Sequence, residues 1–188
     1  MAELHSIKLV CCGDGAVGKT CLLTRYTRDT FPDQYVPTVF ENQIVSVNID
    51  NTPVQVEAVD TAGQEGYDGV RAISYPGTHI FVVCFSVDNA DSLSNVEEKW
   101  MPELRREMND EDFPTLVLVA TKSDLIGTDM DQYDPAEANA VARRIGAVNG
   151  KVYECSAMGA TGVTELFTDG IRSALSKGGK GAGCCLLQ

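Results

Sequence analysis

Basic charge is what this chain has least of. Fifteen Lys and Arg stand against 27 Asp and Glu, leaving a formal net charge of −12 over 188 residues. No stretch is basic enough to follow a phosphate backbone, so nucleic acid is not an expected partner. No apolar run approaches the ~18 residues of a membrane-spanning helix. The N-terminus lacks the charged and apolar regions of a secretory leader, so export is not expected. Histidine is scarce, with two in the chain, and none of the seven cysteines (11, 12, 21, 84, 155, 184 and 185) stands at metal-ligand spacing from one. Cys11, Cys12, Cys21, Cys84 and Cys155 therefore read as buried, reduced thiols of a cytosolic protein. The length fits one domain with a full core, and an apolar content of 44% with 22% charged residues is ordinary for a soluble chain.

Against these absences stands one dense signal. Residues 13–20 read Gly-Asp-Gly-Ala-Val-Gly-Lys-Thr, matching G-x-x-x-x-G-K-[ST]. The apolar run Ile7 to Cys12 before it is strand-like, and Cys21 to Tyr26 after it continues as a helix. That strand-loop-helix setting gives the motif its meaning. Glycines let the backbone curl, so that N–H groups and a helix N-terminus face phosphate oxygens. Lys19 brings positive charge to the outer phosphates, and the Thr20 hydroxyl is suited to Mg²⁺.

Strand-like and helix-like segments alternate along the chain, which predicts an α/β fold. The expected architecture is three-layered, a six-stranded mostly parallel sheet with helices on both faces. Residues 31–42 read as a polar connector. Segments 44–49 and 54–59 read as a hairpin around the turn 50–53. Runs 80–85 and 116–120 are continuously apolar, as strands buried on both faces are. Residues 152–155 form a short edge strand. Helices are expected over 91–108, 135–148 and 163–176; Val163, Leu166, Phe167, Ile171 and Ala174 fall on one face of the last and read as core. The domain spans 1–175, and 176–188 is a Gly/Lys/Ser-rich flexible tail.

Other signals converge on the loop. Asp60-Thr61-Ala62-Gly63-Gln64 follows a strand, so the Asp60 carboxylate can hold a Mg²⁺ water and the Gly63 N–H can meet a terminal phosphate. Thr121-Lys122-Ser123-Asp124 follows another strand. A carboxylate there can accept from both N1–H and the 2-amino group of guanine. Adenine has no such donor pair and would leave Asp124 unpaired, at a cost of roughly 1–3 kcal/mol. Ser156 and Ala157 end the next strand, where a backbone N–H can donate to guanine O6. Thr38 is a second hydroxyl able to reach Mg²⁺ and the γ-phosphate.

With these residues in this order, the chain resembles the Ras superfamily of small GTPases over residues 4–176, and within it the Rho/Rac family. The Rho-like wording runs through 13–23, Tyr-Val-Pro-Thr-Val-Phe-Glu-Asn (35–42), Asp-Thr-Ala-Gly-Gln-Glu (60–65), Ser-Tyr-Pro (74–76), Cys-Phe-Ser-Val (84–87) and Lys-Trp-Met-Pro-Glu (99–103). The threonine of Thr-Lys-x-Asp also favours Rho. The resemblance implies a P-loop G-domain that binds GTP and GDP with Mg²⁺, held by Thr20, Thr38 and, through water, Asp60. It spreads nucleotide contacts over Gly13, Asp14, Gly15, Ala16, Val17, Gly18, Lys19, Thr20, Cys21, Phe31, Tyr35, Thr38, Asp60, Gly63, Thr121, Lys122, Asp124, Ser156 and Ala157. Phe31 and Lys122 flank the guanine, Tyr35 closes over the phosphates, and residues 31–42 and 61–76 are switch segments.

Gln64 is the expected catalytic residue, orienting the attacking water. GTPases of this type hydrolyse unaided at about 10⁻⁴ s⁻¹, rising roughly 10⁵-fold when a partner inserts an arginine. Relatives with a built-in arginine carry it on a large insertion, whereas 17 residues separate Thr20 from Thr38 here. The arginine is therefore expected in trans from an activating protein. The resemblance also implies exchange factors, a GDI-like chaperone, effectors that read residues 31–42 and 61–76, and work in actin, polarity or vesicle signalling.

The chain departs from the family pattern in places. A Rho-type insert after Thr-Lys-x-Asp looks absent or trimmed, since 30 residues lie between Asp124 and Cys155. Val59 stands where many relatives have Trp, and Gly66 and Gly69 loosen the second switch. At the end, Cys185-Leu186-Leu187-Gln188 fits C-a-a-X, a prenylation signal. One lipid anchors weakly, and with little more than Lys177 and Lys180 nearby, Cys184 is either a palmitoylated second signal or a simple spacer. Such a device puts the protein on the cytoplasmic face of membranes, with a cytosolic pool. A nucleotide kinase would need an arginine-rich lid and no Thr-Lys-x-Asp; a non-hydrolysing GTP-binding module is disfavoured by Gln64 and Gly15.

Overall fold

Continuous apolar runs build the centre of the sheet. The computed structural model describes residues 5–32, 40–64, 66–108 and 113–181. The strands are β1 (His5–Gly13), β2 (Phe40–Ile49), β3 (Thr52–Thr61), β4 (Ile80–Ser86), β5 (Thr115–Thr121) and β6 (Val152–Glu154). They lie in the order β2-β3-β1-β4-β5-β6. β2 runs antiparallel to β3 and every other pairing is parallel. This is the expected six-stranded, mostly parallel sheet, and β6 is its short edge.

Alternation along the strands makes two cores. On one face Leu9, Cys11, Val56, Val82 and Val119 pack beneath α1 (Lys19–Arg28) and α6 (Val163–Gly181). The five apolar positions expected of the last helix are all buried in this core. Tyr26 of α1 stacks on Phe167 of α6 with ring centroids 3.8 Å apart; such a pair adds about 0.5–1.5 kcal/mol beyond its burial. On the other face Val10, Cys12, Phe81, Val83 and Leu118 meet α3 (Ala90–Asn95), α4 (Met101–Glu107) and α5 (Pro135–Ile145). Burial pushes the Cys11, Cys12 and Cys155 thiols well above their usual range, which keeps them unreactive.

Some expected boundaries move. β2 begins at Phe40 because Phe40 and Glu41 pair with Thr61 and Asp60, extending the ladder into the connector. The helix expected over 91–108 is interrupted by a π-helical segment, Val96–Trp100, between α3 and α4. Pro102 is the cause, for its ring has no N–H to give and crowds the carbonyl four residues back. The chain answers by widening the preceding turn, where the Met101 N–H bonds the Val96 carbonyl five residues earlier. α5 is capped by Asp134, whose side chain accepts from the Ala136 and Glu137 N–H groups, and ends at Ile145 because Gly146 turns left-handed (φ 76°). The last helix continues to Gly181 rather than ending at 176. The glycines in that stretch weaken a helix without stopping it.

Because five strands point the same way, their carboxyl ends, Gly13, Thr61, Ser86, Thr121 and Glu154, open on one edge of the sheet. Loops leaving that edge form the site. Between β3 and β4, the short helix α2 (Asp68–Ala72) lies within the segment expected to switch. Among the described residues no helix is long and apolar enough to cross a membrane.

Candidate functional site

The loop after β1 is shaped by steric necessity. Gly13 has φ 135°, and a Cβ on it would lie 2.1 Å from the Cys84 carbonyl oxygen. Gly18, at φ 96°, starts α1, and Ala16 accepts a left-handed φ of 61° between them. The backbone so bent encloses a cavity of about 310 Å³. Gly15, Ala16, Gly18, Lys19, Thr20 and Cys21 line part of it. Cys21 is accordingly half-buried, which corrects the expectation of a buried thiol. Val17 buries its side chain in the core, and its carbonyl accepts from the Thr121 hydroxyl. Asp14 points away from the cavity, its carboxylate taken by Asn95 Nδ2 at 2.7 Å and Trp100 Nε1 at 2.8 Å.

Lys19 is 6% exposed, and its ammonium donates to the carbonyls of Gly13 (2.8 Å) and Asp14 (2.6 Å). Burial pushes its pKa down, against the opposing pull of buried thiols and Asp60. The Thr20 hydroxyl sits 2.5 Å from Asp60 Oδ2, bringing two hard oxygen donors together from α1 and β3. Asp60 is 2% exposed. Among the described residues no group of three or more His, Cys, Asp and Glu side chains could hold a metal. A hydroxyl beside a carboxylate instead suits Mg²⁺, which keeps waters and shares substrate phosphates. Gly63 and Gln64 line the cavity beside Thr20. A Cβ on Gly63 would meet Gly13 O at 2.3 Å and the Asp14 carbonyl at 2.4 Å, so the segment expected to be the second switch lies at Gly63 directly on the loop after β1. A Cβ on Gly15 would touch Gln64 Cγ at 3.5 Å.

The rest of the cavity wall has a different chemistry. Phe31, 42% exposed, lines it together with Thr121, Lys122, Asp124 and Ala157. Thr121 Oγ1 lies within hydrogen-bond reach of the Val17 carbonyl and, at 2.9 Å, of Phe85 O, tying β5 to the phosphate loop. Lys122 adopts a left-handed φ of 58°, and its ammonium donates to both Asp88 oxygens at 2.9 and 3.1 Å. Burial raises the Asp88 carboxyl, but hydrogen bonds from Lys122 and Ser86 outweigh it and hold it below the usual carboxylate range. The Lys122 stem is thus fixed along the cavity wall. Ser156 Oγ donates to Asp124 Oδ1 at 2.5 Å and itself accepts from the Gly159 N–H. Ser156 therefore acts by orienting Asp124. Arg25 Nε, reaching over from α1, donates to the Ala157 carbonyl at 2.7 Å.

Thus Gly15, Ala16, Gly18, Lys19, Thr20, Cys21, Phe31, Gly63, Gln64, Thr121, Lys122, Asp124 and Ala157 gather around one cavity, whereas Gly13, Asp14, Val17, Asp60 and Ser156 stand behind its wall. Tyr35 and Thr38 lie outside the described residues, as do the tail cysteines Cys184 and Cys185. Sequence reading missed Arg25, Asp88, Asn95, Trp100, Arg71 and Glu103. Each acts on a partner too distant in the chain for local spacing to reveal.

Comparison with known proteins agrees with this layout. Residues 8–176 match the Ras family. The chain is similar to the GTP-binding protein rho1 of Schizosaccharomyces pombe (strain 972 / ATCC 24843), with 45% identity over 180 residues covering 90% of this chain and 87% of that protein.

Proposed function

The chain belongs to the Rho branch of the Ras family of small GTPases, and from that premise we propose that its cavity binds GTP or GDP with Mg²⁺ and turns slow hydrolysis into a membrane-localised switch. The observation that carries this reading is one cavity whose wall combines two chemistries. Lys19 and the α1 N-terminus suit phosphates, and Asp124 suits guanine.

Thr20 and Thr38 would hold Mg²⁺ directly and Asp60 through a water; when bound, the ion neutralises charge on the outer phosphates. Lys19 and the N–H groups of the loop stabilise the negative charge of the transferring phosphoryl group. Gln64 orients the attacking water, and the Gly63 N–H meets the γ-phosphate. At the base, Phe31 and Lys122 cover the ring faces, Asp124 accepts from N1–H and the 2-amino group, and the Ala157 N–H donates to O6. Residues 31–42 and 61–76 change with the γ-phosphate and present that state to exchange factors, effectors and an activating protein that supplies an arginine. Exposed Ile73 (78%) and Val70 (45%) give the second segment an apolar face for such partners.

Nucleotide extracted from the purified protein tests the class: guanine is expected at about one per chain, and adenine would overturn the reading. Membrane placement follows from Cys185 as the prenylated residue with Cys184 as a palmitoylated second signal, cycling through a GDI-like chaperone, with roles in actin, polarity or vesicle signalling. Cys185→Ser is expected to move the protein from membranes to cytosol; fractionation that leaves it on membranes contradicts the lipid anchor.

A further inference from the structure

The widened helical turn around Trp100 does something a regular helix could not. In an α-helix, residues five apart point about 140° away from one another. The π winding of Val96–Trp100 draws positions five apart towards one face. Asn95 and Trp100 are such a pair, and both reach the same carboxylate, that of Asp14 in the phosphate loop. One turn on, Glu103 is 7% exposed and holds Arg71 through Nε–H to Oε1 at 2.9 Å and Nη2–H to Oε2 at 2.7 Å. Tyr75 donates its hydroxyl to the same Oε1 at 2.5 Å.

Arg71 is the other half of the device. It is 2% exposed, lies in the switch segment, and sends Nη1–H to the Ala62 carbonyl at 2.7 Å. Its guanidinium also sits over the Trp100 ring, 4.6 Å from the centroid. Asp68 Oδ1 accepts a further bond at 2.6 Å. Ala62 directly precedes Gly63, which lies on the Gly13–Asp14 backbone, and Gln64 follows. The contacts therefore close a ring. From Asp14 it passes through Trp100 to Arg71, through Arg71 to Ala62, and through Gly63 back to Asp14.

We propose that Asn95, Trp100, Glu103 and Arg71 are positioning residues for GTP hydrolysis, with the π turn holding the phosphate loop and the Ala62–Gln64 backbone in one register. This rests on the reading that Gln64 orients the water. None of the four lines the nucleotide cavity, so their effect falls on the chemical step more than on affinity. The fork geometry of Arg71 is essential to it, since a lysine is a point charge and cannot serve Ala62, Glu103 and Asp68 together.

The test is single-turnover GTP hydrolysis, read beside GDP dissociation and thermal unfolding, for Asn95→Ala, Trp100→Phe, Arg71→Lys, Glu103→Gln and the control Gln64→Leu. The positioning variants are expected to hydrolyse about 10- to 100-fold more slowly while GDP dissociation changes less than about threefold. Arg71→Lys with Glu103→Gln is expected to be no slower than the worse single variant, because both break the same limb. Hydrolysis at the wild-type rate in the positioning variants, with Gln64→Leu inactive, overturns the proposal and leaves the site reading intact. A Gln64→Leu variant that hydrolyses normally overturns the site reading instead. If the buried Arg71 and Glu103 variants fail to fold, Asn95→Ala decides, for Asn95 is half-buried and its replacement frees only Asp14 Oδ2; a wild-type rate there rejects the proposal.

Discussion

Gly63→Ala is expected to slow GTP hydrolysis about a hundredfold or more in a protein that still folds. The added methyl would lie 2.3 Å from Gly13 O and 2.4 Å from the Asp14 carbonyl carbon and oxygen. All three are backbone atoms, so no rotamer change relieves the clash, and two chain segments must part by roughly an ångström. A displacement of that size at a reacting group can cost about 10²-fold. The segment that moves carries the N–H proposed to meet the γ-phosphate and, next to it, Gln64. The sheet beneath is untouched, since Thr61 stays anchored by its hydroxyl to Cys11 O at 2.6 Å. Circular dichroism and GDP binding close to wild type, with single-turnover hydrolysis lost, is the expected pattern. Hydrolysis within twofold of wild type would mean that the close approach of Gly63 to the loop is not needed for chemistry.

The second large effect is a change of base. Asp124→Asn is expected to weaken guanine nucleotides by at least about 10²-fold and to favour xanthine, because a site that hydrogen-bonds its ligand rejects a mismatched partner strongly. Xanthine carries a carbonyl where guanine has its 2-amino group. An asparagine amide can donate to that carbonyl, whereas the aspartate would face it with two acceptors. Ser156 accommodates the exchange, for its hydroxyl can still donate to the remaining side-chain oxygen. Competition between GDP and XDP measures the switch. Unchanged guanine preference would remove Asp124 from the base-reading role.

The sheet and the cavity were legible because their causes are local. Continuous apolar runs such as 80–85 and 116–120 become the strands buried on both faces, and each motif follows a strand whose direction the parallel pairing shares. The phosphate loop is legible for the same reason: Gly13 and Gly18 are there because of what the adjacent backbone allows. The residues that fix the site in place were not legible. Arg71 and Glu103 are 32 positions apart, Asp14 and Trp100 86, and Arg25 and Ala157 132. Only the folded sheet brings these pairs together. The π turn was missed for a related reason. Periodicity reads 91–108 as one helix, and Pro102 shows its effect in the turn before it rather than as a break.

Trp100 is the only tryptophan in the chain, and its indole N–H ends on a phosphate-loop carboxylate. Tryptophan emission from the unlabelled protein, excited at wavelengths that tyrosine does not absorb, therefore originates beside the loop proposed to hold the nucleotide phosphates. A dye on the ribose reports whether a ligand is present. This indole reports how the loop is held, and it gives the protein a built-in optical gauge of its own state.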